Sequence, residues 1–150
     1  MKTPTIRFAK QSDLEDIVML CEQHAHFEES DYDSSNKSEN LDRHLFGKNP
    51  SLFCLVVQQE ESIIGYATYM KQFSTWDAEF YIYMDCLFLN DESRGIGIGE
   101  ELINRIKQEA QKFDCNHIQW QTPDFNTRAI KFYKRIGAVS KTKERFFLGV

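Results

Sequence analysis

The stretch Arg94-Gly95-Ile96-Gly97-Ile98-Gly99 decides how this chain is read. It follows an apolar, strand-like run, Met84-Asp85-Cys86-Leu87-Phe88-Leu89, and opens an amphipathic helix whose apolar face is Ile98, Leu102, Ile103, Ile106, Ala110 and Phe113. Three glycines therefore bare backbone N–H groups where a helix dipole is positive. That is an anion cradle, and phosphate is the anion that suits it. The spacing excludes two common nucleotide loops. A dinucleotide fingerprint started at Gly95 needs glycine where Glu100 stands, and a phosphate-binding P-loop needs Lys-Ser/Thr where the chain reads Glu100-Glu101-Leu102.

Working outward, Cys115 to Gln121 reads as a strand, with Ile118 and Trp120 alternating. A strand, a crossover helix and a second strand make a right-handed parallel unit. Ligands favour the carboxyl ends of such strands, where the glycines lie. Upstream, Leu52 to Gln58, Ile63 to Phe73 and Ala78 to Leu89 are joined by short polar turns, the pattern of an antiparallel meander. Thr5 to Ala9 reads as a first strand. Ser12 and Glu15 are spaced as a capping box for a helix carrying Leu14, Ile17, Val18, Cys21 and Ala25 on one face. The polar stretch from Glu28 to Asn40 is read as a loop into a short helix over Leu41 to Phe46. Asn126 is expected to cap a helix ending at Ile136, Gly137 to stop it, and Ala138 to Leu148 to close the chain as a strand. The expected fold class is α+β: one domain over residues 1–150, built on a mixed, mostly antiparallel twisted sheet with flanking helices and a βαβ core.

Composition bounds the rest. At 150 residues, 41% hydrophobic and 27% charged, the chain fits one ordinary globular domain. No apolar run reaches the about 18 residues that a membrane span needs, and Met1-Lys2-Thr3-Pro4 lacks a signal-peptide core, so a cytoplasmic protein without membrane partners is expected. Cys21, Cys54, Cys86 and Cys115 stand singly and read as reduced core thiols. His24 and His26 are two apart on a helix and face different ways, so no metal is expected. The net charge of −5 hides a split: residues 1–93 carry 7 Lys/Arg against 17 Asp/Glu, and residues 94–150 carry 11 against 6. The basic half suits a donor with several phosphates and the acidic half a cationic acceptor. An acidic chain without a basic, aromatic-laced stripe disfavours nucleic acid.

The Arg-x-x-Gly-x-Gly spacing resembles the pyrophosphate loop of the GCN5-related N-acetyltransferases (GNAT). Further stretches are similar to the spermidine/spermine (diamine) branch of that superfamily: Ile6-Arg7 through Phe27-Glu28, Phe73-Ser74-Thr75-Trp76, Tyr83-Met84-Asp85, and Asn126-Thr127-Arg128-Ala129-Ile130-Lys131-Phe132-Tyr133-Lys134-Arg135-Ile136-Gly137-Ala138. Where that branch carries Glu-Asp, this chain has Asp85-Cys86.

The resemblance implies an acetyl-CoA-dependent enzyme acting on a primary amine of a small cationic acceptor, such as a polyamine or diamine, by direct attack on the thioester. It also implies a homodimer. An ammonium of pKa about 10.4 must lose its proton before it attacks, and Asp85 matches the position that attracts it and accepts the proton through water. Tyr133 matches the acid that protonates the leaving thiolate. Leu87, Phe88 and Leu89 would hold the pantetheine arm like an added strand. Arg94, Gly95, Ile96, Gly97, Ile98, Gly99 and Glu100, with Asn126, Ala129 and Tyr133, would complete the cosubstrate site. Phe27, Glu28, Trp76 and Asp85 would line the acceptor site. Read by themselves, Tyr133 also fits a core stripe with Ala129, Ile130 and Ile136, and Asn126 a plain helix cap. Other acceptors stay open: an aminoglycoside, a thialysine-like amino acid or a protein amine. A non-catalytic acyl-CoA sensor would need the glycines but not Tyr133.

Overall fold

The computed structural model describes residues 2–150. Five strands form one sheet in the order β1-β2-β3-β4-β5: β1 Thr5–Phe8, β2 Phe53–Gln59, β3 Ser62–Ser74, β4 Glu79–Leu89 and β5 Ile118–Gln119. The first four are antiparallel neighbours, and β5 joins β4 in parallel, with Ile82 opposite Ile118 and Tyr83 opposite Gln119. Four helices flank the sheet: α1 Leu14–Phe27, α2 Lys37–Phe46, α3 Ile98–Lys112 and α4 Thr127–Arg135. The mixed sheet and the β4-α3-β5 crossover are those expected from the sequence.

Both faces of the sheet are covered, which explains the unbroken apolar run Cys54-Leu55-Val56-Val57. Leu55 and Val57 join Ala67, Ile82, Met84 and the α3 residues Leu102 and Ile106 in one core. Cys54 and Val56 join Tyr66, Phe88 and the α1 and α2 residues Ile17, Leu20 and Leu45 in the other. Alternation at period two sends neighbouring residues to opposite layers.

One irregularity in β4 aims a carboxylate. Thr68 pairs with Cys86 and Tyr69 with Met84, so Asp85 is the extra residue of a β-bulge. Beyond Tyr83 the β5 side of β4 has no strand partner, and the backbone from Met84 to Leu89 borders an open notch.

Several expectations are corrected. Ser12 and Glu15 form no capping box. The Asp13 carboxylate accepts the Lys10 amide at 2.7 Å and both Arg7 guanidinium nitrogens at 2.7 and 3.0 Å, a bidentate tie that fixes the entry to α1. The second helix starts at Lys37, four residues earlier than its apolar pattern announces, because its first turn, Lys37-Ser38-Glu39-Asn40, carries no apolar residue. The strand after α3 pairs over two residues only. The closing strand does not form: residues 139–150 have no regular structure, and Val139, Phe146, Phe147 and Leu148 are each more than 80% exposed. The arm pairs with no strand of the sheet, and its exposed amides are left to water.

Candidate active site

The glycine run turns between β4 and α3. Gly95 (φ +83°) and Gly97 (φ +89°) lie in the left-handed region, and no atom stands within 4 Å of the Cβ that a side chain at Gly97 would carry. Gly99 sits in the first turn of α3, where a Cβ would meet Phe132 at 3.3 Å, so α4 packs directly on the loop. Leu87, Phe88 and Leu89 end the open edge of β4 just before it. Ile98 is buried in the sheet-α3 core, whereas Ile96 is exposed and Glu100 faces Arg135 at 3.5 Å.

Arg94 is tied into the framework. Its Nε donates to the Leu89 carbonyl at 2.9 Å, Nη1 meets Asp91 at 2.6 Å, and the guanidinium lies 4.3 Å from the centre of the Phe27 ring and 5.2 Å from that of Phe88. Arg128, on the first turn of α4, is the cation at the mouth of the loop. Its Nη2 lies 4.0 Å from the position of a Gly95 Cβ, and it enters no ion pair among the described residues. Asn126 acts as a helix cap, its Oδ1 accepting the Ala129 amide at 3.3 Å while its Nδ2 donates to Thr122 Oγ1 at 3.4 Å.

Tyr133 stands beside Trp120, edge to face at 5.1 Å between ring centres, and beside Phe132. No α4 residue is fully buried, so the stripe is a half-open face rather than core. Burial raises the Tyr133 phenol to about 12, and the negative charge of Glu28 adds to the effect. Glu28, at the carboxyl end of α1, lies at the end of β4 marked by Phe88 and Arg94, since its partner His24 stacks on Phe88 and its neighbour Phe27 packs on both.

Asp85 lies apart from this group, three residues back along the strand from Phe88, or about 10 Å at strand rise. The bulge turns it into a pocket of about 420 Å³ lined by Lys37, Asn40, Leu41, His44, Ser51, Leu52 and Met70. No hydrogen bond or ion pair joins Asp85 to Glu28 or Tyr133 among the described residues. Trp76 is 97% exposed at the tip of the β3-β4 hairpin, so within one chain it lines neither region.

Three residues here were missed in the sequence. His24 pairs with Glu28, four positions on and one helical turn away, a spacing that is visible in the sequence. Arg128 follows Asn126 by two residues and carried no signal beyond its charge. Lys37 sat in a stretch read as loop.

Residues 12–138 match the family model described as Acetyltransferase (GNAT) family. The chain belongs to that family of N-acetyltransferases, which implies acetyl-CoA as cosubstrate. It is 29% identical over 156 residues to the thialysine N-epsilon-acetyltransferase of Mus musculus, covering 99% of this chain and 91% of the relative. It is 30% identical over 146 residues to the Bos taurus enzyme of that name, covering 92% and 85%. The Homo sapiens spermidine/spermine N(1)-acetyltransferase-like protein 1 is 27% identical over 146 residues, 93% of this chain but 21% of the longer relative. An aminoglycoside acetyltransferase from an uncultured soil metagenomic sample superposes with a TM-score of 0.82 at 19% identity, covering 98% of this chain and 96% of that one, a likeness of fold.

Proposed function

We propose that this N-acetyltransferase acts on a small cationic amine, polyamines and diamines first, by direct attack on the thioester. The observation that carries the reading is the bulge at Asp85, which turns an acidic side chain into a pocket beside the open edge of β4. When bound, acetyl-CoA supplies an activated acyl group. Left-handed Gly95 and Gly97, the β4 edge at Leu87, Phe88 and Leu89 that no strand covers, and Arg128 are suited to its phosphates and pantetheine arm. Asp85 attracts the ammonium. Because a carboxylate of pKa about 4 is a poor direct base for a group of pKa about 10.4, the proton leaves through water.

Tyr133, with its phenol at about 12, stays protonated at every working pH and can donate to sulfur as charge grows there. Outright transfer to a thiolate of pKa about 8.5 is uphill by about 5 kcal/mol. A cation bound at Glu28 removes part of that cost by cancelling the charge that helps hold Tyr133 high. Phe27 and Glu28 therefore belong to the acceptor side. A thiol-release assay with acetyl-CoA against polyamines, diamines, aminoglycosides, lysine-like amino acids and peptides tests the reading. Turnover with spermidine or a diamine supports it, and turnover restricted to peptides or aminoglycosides ends it.

A second acceptor class has its own support. Lys37 lines the same pocket as Asp85, and a second ammonium of a diamine would meet its charge, whereas a carboxylate would be welcomed. A lysine-like amino acid, the class named in the thialysine relatives, carries both groups. A preference for lysine-like compounds over a diamine of equal length would favour it.

The exposed arm 139–150 and the short edge strand β5 support a homodimer in which each arm reaches the partner. Sedimentation of the full chain against one ended at Gly137 tests this: a dimer that becomes a monomer fits, and an unchanged mass does not. Four free cysteines fit a cytoplasmic setting.

A further inference from the structure

Glu28 occupies an awkward position. It caps the carboxyl end of α1, where unpaired carbonyls leave partial negative charge that repels a carboxylate. It is nevertheless held, with only 30% of its side chain exposed, because His24 Nε2 lies 3.2 Å from its Oε1. The other ring nitrogen, Nδ1, lies 3.0 Å from the hydroxyl of Tyr66, a residue 1% exposed. The imidazole is stacked on Phe88, ring centres 5.1 Å apart at 19°, and its side chain is 14% exposed.

Donor and acceptor roles follow from chemistry. An ionised carboxylate only accepts, so Nε2 carries the proton toward Glu28 and the neutral ring offers Nδ1 as acceptor. Burial holds the Tyr66 phenol far above its ordinary value, so its O–H remains to donate to Nδ1, while the Cys21 and Cys86 thiols lie against the same oxygen. The chain runs Tyr66 O–H to Nδ1, then Nε2–H to Glu28, and the charge at its end is felt by Tyr133.

We propose that His24 is a positioning residue of the acceptor site: its imidazole, locked between Tyr66 and Phe88, holds the Glu28 carboxylate where the incoming ammonium is received. This rests on the reading that Glu28 faces the amine. His24 itself touches no reacting atom. Its part is to keep at the end of α1 a charge that the helix would otherwise push into solvent.

Two substitutions separate positioning from general packing. In His24→Gln the side-chain amide reaches about as far as Nε2 and can still donate to Glu28. In His24→Asn it reaches only as far as Nδ1. The His24→Asn variant should raise KM for the best amine about tenfold, with kcat within twofold and CoA affinity unchanged, while His24→Gln stays within threefold of wild type. In a Glu28→Gln background, His24→Asn should add less than twofold. Equal behaviour of the two variants, or the same tenfold effect in both backgrounds, overturns the proposal.

A readout independent of turnover is the nitrogen spectrum of 15N-labelled wild-type protein, in which His24 should be the Nε2–H tautomer and should shift in Glu28→Gln. An Nδ1–H tautomer, or no shift, overturns the link even if a variant fails to fold. A wild type that releases no thiol with any amine instead removes the acceptor reading, and with it the role given to His24, while the tautomer reports on the clamp itself.

Discussion

At Gly97 the backbone is left-handed and the space a side chain would enter is free, the two properties that a loop closing on a phosphate requires. In Gly97→Val the strain at positive φ costs about 1–2 kcal/mol. The protein should therefore fold, with melting lowered by no more than about 10 °C, while CoA affinity falls at least about tenfold as the side chain fills the cradle. Calorimetry that finds CoA binding unchanged in the folded variant would remove the glycine loop from the cosubstrate site. Tyr133 is the other decisive residue. Its phenol at about 12 must be protonated to act, so kcat should rise with pH from 7 to 10 as the amine is freed, with no falling limb from Tyr133 in that range. Tyr133→Phe should lower kcat by roughly 10²–10⁴ with CoA affinity kept. Near-normal turnover together with a lowered melting temperature would make Tyr133 a packing residue.

Among the elements, β4 carries most of the chemistry, and Gly65 on β3 sets how closely its end can approach. Gly65 pairs with Leu89, and a Cβ there would come within 2.4 Å of Leu89 Cδ2 and 2.8 Å of the Phe88 carbonyl oxygen. The second contact is with backbone, so relief requires the strand end itself to move. Gly65→Ala should cost about 1–3 kcal/mol of stability and weaken CoA binding as well, because Phe88 and Leu89 border the notch. Denaturant unfolding and CoA titration of the same variant check this, and a loss of stability with affinity intact would separate the strand end from the cosubstrate.

For the molecule as a whole, the charge split becomes a kinetic expectation. An acceptor drawn by Asp85 and Glu28 feels exposed charges that salt screens over about 8–10 Å near physiological ionic strength. Raising salt from 50 to 500 mM, as assay conditions, should raise KM for a polyamine several-fold while KM for acetyl-CoA changes less. For a lysine-like acceptor, which also meets Lys37, the salt effect should be smaller. Steady-state kinetics with both acceptor types measure the difference, and equal salt dependence would leave Lys37 without a part in selection.

The local chemistry of the chain determined a good deal without coordinates. The period of Ile98, Leu102, Ile103 and Ile106, the apolar runs of β2 and β3 between polar turns, and the glycines that open α3 are short-range signals, and each element they announce is present. The family signature around Asn126 and Tyr133 is equally local. What the tertiary structure decided depends on partners distant in sequence. The bulge at Asp85 exists because β3 pairs with β4 out of step, a register that no single strand contains. Arg94 belongs to the loop by sequence, and only the fold shows that Phe27, Phe88 and the Leu89 carbonyl hold it in place. Residues 138–148 read as a closing strand, but pairing is a non-local property, and in the fold they join no strand of the sheet. His24 acquires its role only where β3 brings Tyr66 beneath α1, because a hydrogen bond across 42 residues is a property of packing and not of pattern.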